Sequence, residues 1–236
     1  MKNLLLVILC VCSLSAMAGC GSAPAENSSI PGVDTPTPEN LLHFIGRASV
    51  RIETKFGLVI YIDPATGAKM EYDKPADLVL ITHQHSDHNK TNLVTLKDTG
   101  KVISCPVNIR SGDTMDFSGI KITAVDAYNN NHSKESCCGF ILEINDVVIY
   151  HSGDTSKTEQ MADFSSLGID YALLCSDGYY NMGAEEVMEV AGLIDAKYII
   201  PIHSAASGSY SQKNTDKIIL ENKIVLLPGD EISIGE

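Results

Sequence analysis

Short apolar runs rich in β-branched residues recur along this chain. They are Val59-Ile60-Tyr61-Ile62, Leu78-Val79-Leu80-Ile81, Phe140-Ile141-Leu142, Val147-Val148-Ile149-Tyr150, Tyr171-Ala172-Leu173-Leu174, Tyr198-Ile199-Ile200 and Ile224-Val225-Leu226-Leu227. Their length, and the absence of polar alternation within them, suit strands covered on both faces. Such strands need helices or a second sheet on either side, so the pattern predicts sheets with helices on their outer faces in one layered α/β domain. Val187, Val190, Ala191 and Ile194 follow the i, i+3, i+4, i+7 spacing of an amphipathic helix, with Glu185 and Glu186 in its first turn, where the dipole favours anions. A second short helix is expected over about 212–221, around Ile218 and Ile219, and Lys55-Phe56-Gly57 reads as a hairpin turn. No internal repeat stands out.

The residues just past these runs carry the chemistry. The Leu78–Thr82 run leads into His83, Val147–Tyr150 into His151 and then Asp154, Tyr171–Cys175 into Asp177, and Tyr198–Ile202 into His203. In open α/β sheets, ligands gather beyond the carboxyl ends of the strands. Separate strands here deliver metal-type side chains to those ends.

Composition narrows the partners. The 236 residues are 44% hydrophobic and 20% charged, which is globular material, with 17 Lys and Arg against 30 Asp and Glu and a formal charge of −13. That balance disfavours nucleic acid, whose phosphates need clustered cations. Trp is absent, so no indole stacking surface for carbohydrate is indicated. No run of about 20 apolar residues is present to form an ordinary spanning helix.

The start of the chain reads as an address. Lys2 precedes an apolar stretch from Leu4 to Cys12 and then small residues, the pattern of a secretory signal peptide over residues 1–19. Met17-Ala18-Gly19-Cys20 resembles a bacterial lipobox, with Met where Leu is commoner. The resemblance implies cleavage before Cys20, lipidation of its thiol, and export to a bacterial cell membrane with the lipid as anchor. Residues 20–40 then form the lipidated cysteine and a tether, rich in Pro and Ser and holding Ile30 and Val33 as its only large apolar residues before residue 40. The remaining domain is 41–236. Cys105, Cys137, Cys138 and Cys175 lie in it, an even number that leaves buried thiols and disulfides both open.

The densest signal is Thr82-His83-Gln84-His85-Ser86-Asp87-His88. His83 and His85 alternate, so in an extended segment they face the same way and can share one ion. Asp87 and His88 come next, where the chain is expected to turn into a helix, and can address a second ion a few Å away. Imidazole and carboxylate suit zinc, and also manganese or iron.

The motif His83-x-His85-x-Asp87-His88 resembles the signature of the metallo-β-lactamase superfamily. Asn131-His132-Ser133, Cys138-Gly139-Phe140, Ile149-Tyr150-His151-Ser152-Gly153-Asp154-Thr155 and Pro201-Ile202-His203-Ser204 resemble its later motifs, in order. Phe44-Ile45-Gly46-Arg47-Ala48-Ser49, Tyr61-Ile62-Asp63-Pro64 and the Gly178–Gly183 loop look like the branch that contains ascorbate-6-phosphate lactonase and N-acyl-phosphatidylethanolamine phospholipase D. The similarity spans about residues 41–230. It implies a four-layer αββα sandwich with the metals at one edge.

It also implies a ligand set. One ion falls to His83, His85 and His132, a second to Asp87, His88 and His203, and Asp154 bridges them, with two divalent ions, zinc foremost, as cofactors. His151 would orient a ligand from behind, and Asp87 would also be catalytic, accepting a proton from the attacking water. Asp63 reads as a structural carboxylate behind the ligands, Asp177 either borders the site or caps a turn, and His43 has no role. Tyr179 and Tyr180 either line a substrate cleft or pack. Relatives often carry histidine where Arg47 stands; arginine cannot ligate a metal, which leaves a local ion pair or contact with an anionic substrate group.

The chemistry expected is hydrolysis, in which a water between two close cations is acidified and attacks a carbonyl or phosphorus. The bridging Asp154 favours a phosphodiester, lactone or thioester over a β-lactam, and a tether beside a membrane favours a small-molecule or lipid-like substrate. Two other readings are a metal-capturing lipoprotein and a non-catalytic scaffold domain on the same fold. Oligomeric state is not legible.

Overall fold

The computed structural model describes residues 39–235; the expected signal peptide and Cys20 lie outside the described residues, as does nearly all of the expected tether. Two six-stranded sheets face each other across the main core. The first has the order β12 (Glu231–Ile234), β1 (Asn40–Gly46), β2 (Ser49–Glu53), β3 (Val59–Ile62), β4 (Ala76–Ile81) and β5 (Leu96–Ser104). The second has the order β11 (Tyr198–Ile202), β10 (Tyr171–Cys175), β9 (Val147–His151), β8 (Cys138–Ile144), β7 (Ile120–Asp126) and β6 (Thr114–Phe117). Each sheet begins with antiparallel hairpins and continues in parallel strands: β3–β4–β5 in the first, β9–β10–β11 in the second. The parallel strands of both sheets end at the same edge of the sandwich, and the candidate ligands follow them there.

The apolar runs explain the layering. Leu78 and Leu80 of β4 join the core between the sheets, while Val79 and Ile81 face outwards to a separate cluster with Tyr61 and Tyr72. Both faces are buried, which is why the run shows no polar alternation. On the second sheet, Ala172 and Leu174 turn outwards to meet α1 (Ala184–Ile194) and the 3₁₀ segment Glu159–Leu167. In α1 the buried residues are Val187, Val190, Ala191 and Ile194, as the spacing predicts. Burying each of the larger three stabilises the packing by about 1.5–3 kcal/mol. The helix starts at Gly183 and ends at Asp195, whose left-handed backbone returns its N–H to Ala191 O at 3.2 Å.

The αββα order holds, but its helical layers are unequal. Outside the first sheet stand only the 3₁₀ turns Lys69–Tyr72 and Thr91–Leu93 among the described residues. Three local expectations are corrected. Ile224–Leu227 is not a strand: Ile224 N–H reaches Ile199 O beyond the edge strand β11, and Val225 and Leu227 are exposed before Pro228-Gly229 turns the chain. The helix expected over about 212–221 is one turn, α2 (Gln212–Thr215); Ile218 is buried in the core and Leu220 packs against it, while Ile219 between them is 74% exposed. Asp87 and His88 sit in a tight turn closed by His88 N–H to His85 O, with no α-helix following. The Lys55-Phe56-Gly57 turn is present, with Gly57 at φ 84. Cys105, Cys137, Cys138 and Cys175 are free, buried thiols.

Candidate metal centre

At the shared edge the loop after β4 supplies His83, His85, Asp87 and His88, the β7–β8 loop supplies His132, the turn after β9 supplies Asp154, and the end of β11 supplies His203. Three triplets have donor atoms within 4.8 Å of one another: His83–His85–His132, His83–His88–Asp154 and Asp87–His88–His203. The seven residues expected from sequence are thus brought together. Asp154 Oδ2 occupies the centre, 3.4 Å from His88 Nε2 and 3.5 Å from both His132 Nε2 and His203 Nε2. Asp87 Oδ2 lies 3.7 Å from His203 Nε2 and 3.9 Å from His88 Nε2.

Each buried imidazole is oriented through its other nitrogen. His83 Nδ1–H donates to Thr82 Oγ1 (3.0 Å), whose own hydroxyl donates to Asp63 Oδ2 at 2.6 Å. Asp63 Oδ2 also accepts from His88 Nδ1–H at 2.7 Å, and Oδ1 from Thr82 N–H at 2.7 Å. His132 Nδ1–H points to Asn129 Oδ1 (2.9 Å) and His203 Nδ1 faces Asp177 Oδ2 at 3.0 Å. These partners, from which the Nδ1 protons are assigned, leave the Nε2 atoms directed at the cluster. Asp63 is therefore the carboxylate behind the motif. Asp177 does both things considered for it: Oδ1 caps the loop by accepting the N–H groups of Tyr179, Tyr180 and Asn181, while Oδ2 serves His203.

His151 works one step further back. Its Nδ1 accepts Gly153 N–H at 3.2 Å and its Nε2–H reaches Ala48 O at 2.9 Å, so it braces the backbone before Asp154 without touching a candidate ligand side chain. Gly153 has φ 60, and a Cβ there would stand 2.8 Å from Cys138 O; the sharp turn that presents Asp154 requires glycine. His43 pairs with Glu71 and Glu231, outside the cluster.

The electrostatics suit a cation. Burial, with His88 beside it, pushes the His83 imidazole down to about 3, and burial likewise lowers His132, so both are neutral donors. Burial alone would lower His88 too, but Asp154 and Asp63 outweigh it and raise it to about 10. Burial would raise Asp154, yet the surrounding imidazoles, His88 and His203 foremost, hold it well below the usual carboxylate range. Asp87 is lowered against its own burial by His203, His88 and Arg47. His83 Nε2, His88 Nε2 and Asp154 Oδ1 are buried and find no hydrogen-bond partner among the described residues. Leaving such an atom unsatisfied costs about 1–3 kcal/mol. Clustered imidazole and carboxylate donors of this kind fit divalent ions of the zinc, manganese or iron type.

The cleft over these residues has a volume of about 410 Å³ and is lined by Arg47, His85, Asp87, His132, Tyr180 and His203 among others. A larger cleft of about 660 Å³, beside Tyr128, Lys157 and Glu189, holds no such donor cluster. Sequence reasoning missed Asn129, which orients His132 and also donates to Tyr180 O and Asn181 Oδ1. Its only sequence signal was its place in the asparagine run just before that histidine.

A family model described as a β-lactamase superfamily domain matches residues 41–203. The chain belongs to the metallo-β-lactamase superfamily. Within it, the chain is similar to a metal-dependent hydrolase of Thermococcus onnurineus, 32% identical over 163 residues that cover 60% of this chain and 72% of that protein. A metal-dependent hydrolase of Pyrococcus horikoshii is 28% identical over 224 residues, covering 81% and 98%. A solved metallo hydrolase from Ignicoccus hospitalis superposes with a TM-score of 0.72 at 21% identity, over 84% of this chain and 99% of that one. A diiron β-hydroxylase from Streptomyces venezuelae shares the fold too, with a TM-score of 0.64 at 12% identity over 85% of this chain and 55% of that one. The likeness to the solved structures shows the superfamily fold; the homology marks this chain as a metal-dependent hydrolase. The donor set must say the rest.

Proposed function

We propose that the protein is a dinuclear metal-dependent hydrolase acting on a phosphodiester, lactone or other ester-like bond. One observation carries the reading: a single carboxylate oxygen, Asp154 Oδ2, lies within 3.5 Å of imidazole nitrogens from both outer triplets, His132 on one side and His88 and His203 on the other. That placement supports reading Asp154 as a bridging ligand. His83, His85 and His132 would hold one ion, Asp87, His88 and His203 the other, and Asp154 both. Bound there, the ions would supply the charge that activates a water and polarises the scissile bond.

The chain's own residues divide the remaining work. Asp154 is nearly buried, so it serves as a ligand, whereas Asp87 is 35% exposed towards the cleft and stays ionised, placed to take a proton from the attacking water. Asp63, Asp177, Asn129 and Thr82 hold the imidazoles so that little reorganisation is needed on reaction. Tyr180 lines the cleft and Tyr179, in edge contact with it at 4.6 Å between ring centroids, is exposed beside it; the pair would offer apolar surface to a lipid-like or other partly apolar substrate. We further propose, on the Met17–Cys20 motif alone, that the protein is exported and tethered to a membrane through lipidated Cys20.

The test is metal-dependent hydrolysis of bis(p-nitrophenyl) phosphate, then of lactone and thioester panels. Turnover that disappears on chelation and in Asp87→Ala is expected. Two bound ions per chain with no turnover on any panel would overturn the hydrolytic reading of this site. For the anchor, Cys20→Ser is expected to move the protein from the membrane fraction to the soluble one.

A further inference from the structure

Arg47 lines the cleft without belonging to any of the donor triplets. It comes just after β1 with a left-handed backbone, φ 53, and His203 is left-handed too, φ 43. Non-glycine residues persist there only where their surroundings fix them. The fixing is visible: Arg47 N–H donates to Ser209 O at 2.6 Å, and Arg47 O accepts His203 N–H at 2.7 Å. The backbone that presents the guanidinium is thus tied to the backbone that presents a candidate metal ligand.

The guanidinium continues the connection. Nη2 lies 2.7 Å from Asp87 Oδ2, Nε donates to His203 Nε2 at 3.1 Å, and Nη1 donates to Gly208 O at 3.3 Å. All three nitrogens have protein partners, and two of those partners are donor atoms of the Asp87–His88–His203 triplet. Of the two roles the sequence left open, the local ion pair is present. Three of the five guanidinium N–H groups are used in these contacts, two of them on those ligand atoms, so the guanidinium is well placed to act on the metal ligands.

The action is a matter of valence. In the neutral form that can ligate a cation, the His203 proton falls to Nδ1, 3.0 Å from a carboxylate oxygen of Asp177, and Nε2 carries the only free lone pair. That lone pair can accept Arg47 Nε–H or bind a cation, not both. The guanidinium also offsets the Asp87 charge that a divalent ion would meet. We propose that Arg47 is a resident competitor for the second metal position. It lowers the affinity of the Asp87–His88–His203 triplet for a divalent ion, and leaves His83–His85–His132 as the tight site. The inference rests on the two-ion reading of the centre.

The experiment is a binding measurement, independent of turnover. Metal-free wild-type protein, Arg47→Asn and Arg47→Gln are titrated with zinc against a chelating indicator, and metal is counted after gel filtration. Asn tolerates a left-handed backbone, Gln keeps much of the length without the charge, and melting curves identify which variants are folded. The wild type is expected to retain one tight ion and bind a second more weakly. In a folded variant the second affinity is expected to rise about ten- to a hundredfold, the range for one hydrogen bond to a charged group, with the first unchanged. Two equally tight ions in the wild type, or a second affinity no higher in a folded variant, would overturn the proposal and leave the two-ion reading standing. Failure of every chain to take up a second ion would overturn both.

Discussion

The donors reach the metal centre by two routes. His83, His85, Asp87 and His88 ride on one loop, braced by Asp63 through Thr82 and His88. His132, Asp154 and His203 come from three separate segments of the second sheet, each with its own support in Asn129, the Gly153 turn or Asp177. The first route concentrates the geometry in one carboxylate. The second spreads it over the register of β7 to β11, so that sheet packing itself becomes part of the ligand field. A defect behind the loop should therefore disturb several donors at once, and a defect behind the second sheet only one.

The largest effect should come where the routes meet. On the two-ion reading, Asp154→Ala is expected to lower hydrolysis by on the order of 10³-fold or more, since several kcal/mol of charge stabilisation would pass through the ions that Asp154 would join. Elemental analysis should show less bound metal; full stoichiometry with unchanged turnover would remove Asp154 from the bridge. Next come the supports. Asp63→Ala and Asp177→Ala should each weaken metal binding by about 10- to 100-fold. On the two-ion reading, Asp63→Ala should affect both positions and Asp177→Ala chiefly the one that includes His203, so equal patterns in a metal titration would break the contrast between the routes.

A pH series sharpens the same contrast. In the metal-free fold His88 is raised from 6.5 to about 10, so it is protonated at neutral pH. Metal uptake must displace that proton, and apparent affinity at the His88 position should rise by up to about tenfold per pH unit between pH 7 and 10. The stability sign is opposite. A raised imidazole stabilises the metal-free fold fully below pH 6.5 and loses that contribution as pH climbs through 10. Chelated protein should therefore melt progressively lower over this range, as thermal unfolding would report. Last is a control away from the edge. Ile194→Ala, in the buried face of α1, should cost about 2–5 kcal/mol of stability with metal stoichiometry intact; loss of metal in the folded variant would show that the outer layer tunes the site.

The two routes also differ in how readable they were. The loop motif declares its donors by spacing, because four metal-type side chains crowd six positions after one buried run. His132, Asp154 and His203 were legible only through motifs that resemble a family, since nothing local says that three distant strand ends converge. The supports were harder still. Asp63 and Asp177 act by reaching across strands, and Asn129 through a bridge within its own loop, none of which periodicity encodes. The misread segments share a cause as well. Ile224–Leu227 and the 212–221 stretch have apolar content suited to strand or helix, but they run along the margin of the second sheet, where one face meets solvent and regular structure is not enforced.

The pairing of β12 with β1 has a consequence for the order of assembly. β1 is the first described strand and delivers the Arg47 turn, yet its outer edge is covered by the last described strand, from Asn40 opposite Ile234 to His43 opposite Glu231. Contacts of such long sequence separation pay their loop entropy late and slow the search for the native topology. A nascent chain could bury much of its second sheet while its first strand, paired only with β2, still waited for its outer neighbour. The edge that gathers the candidate ligands would then be among the last parts to become rigid, and metal capture would follow the docking of β12 rather than guide it.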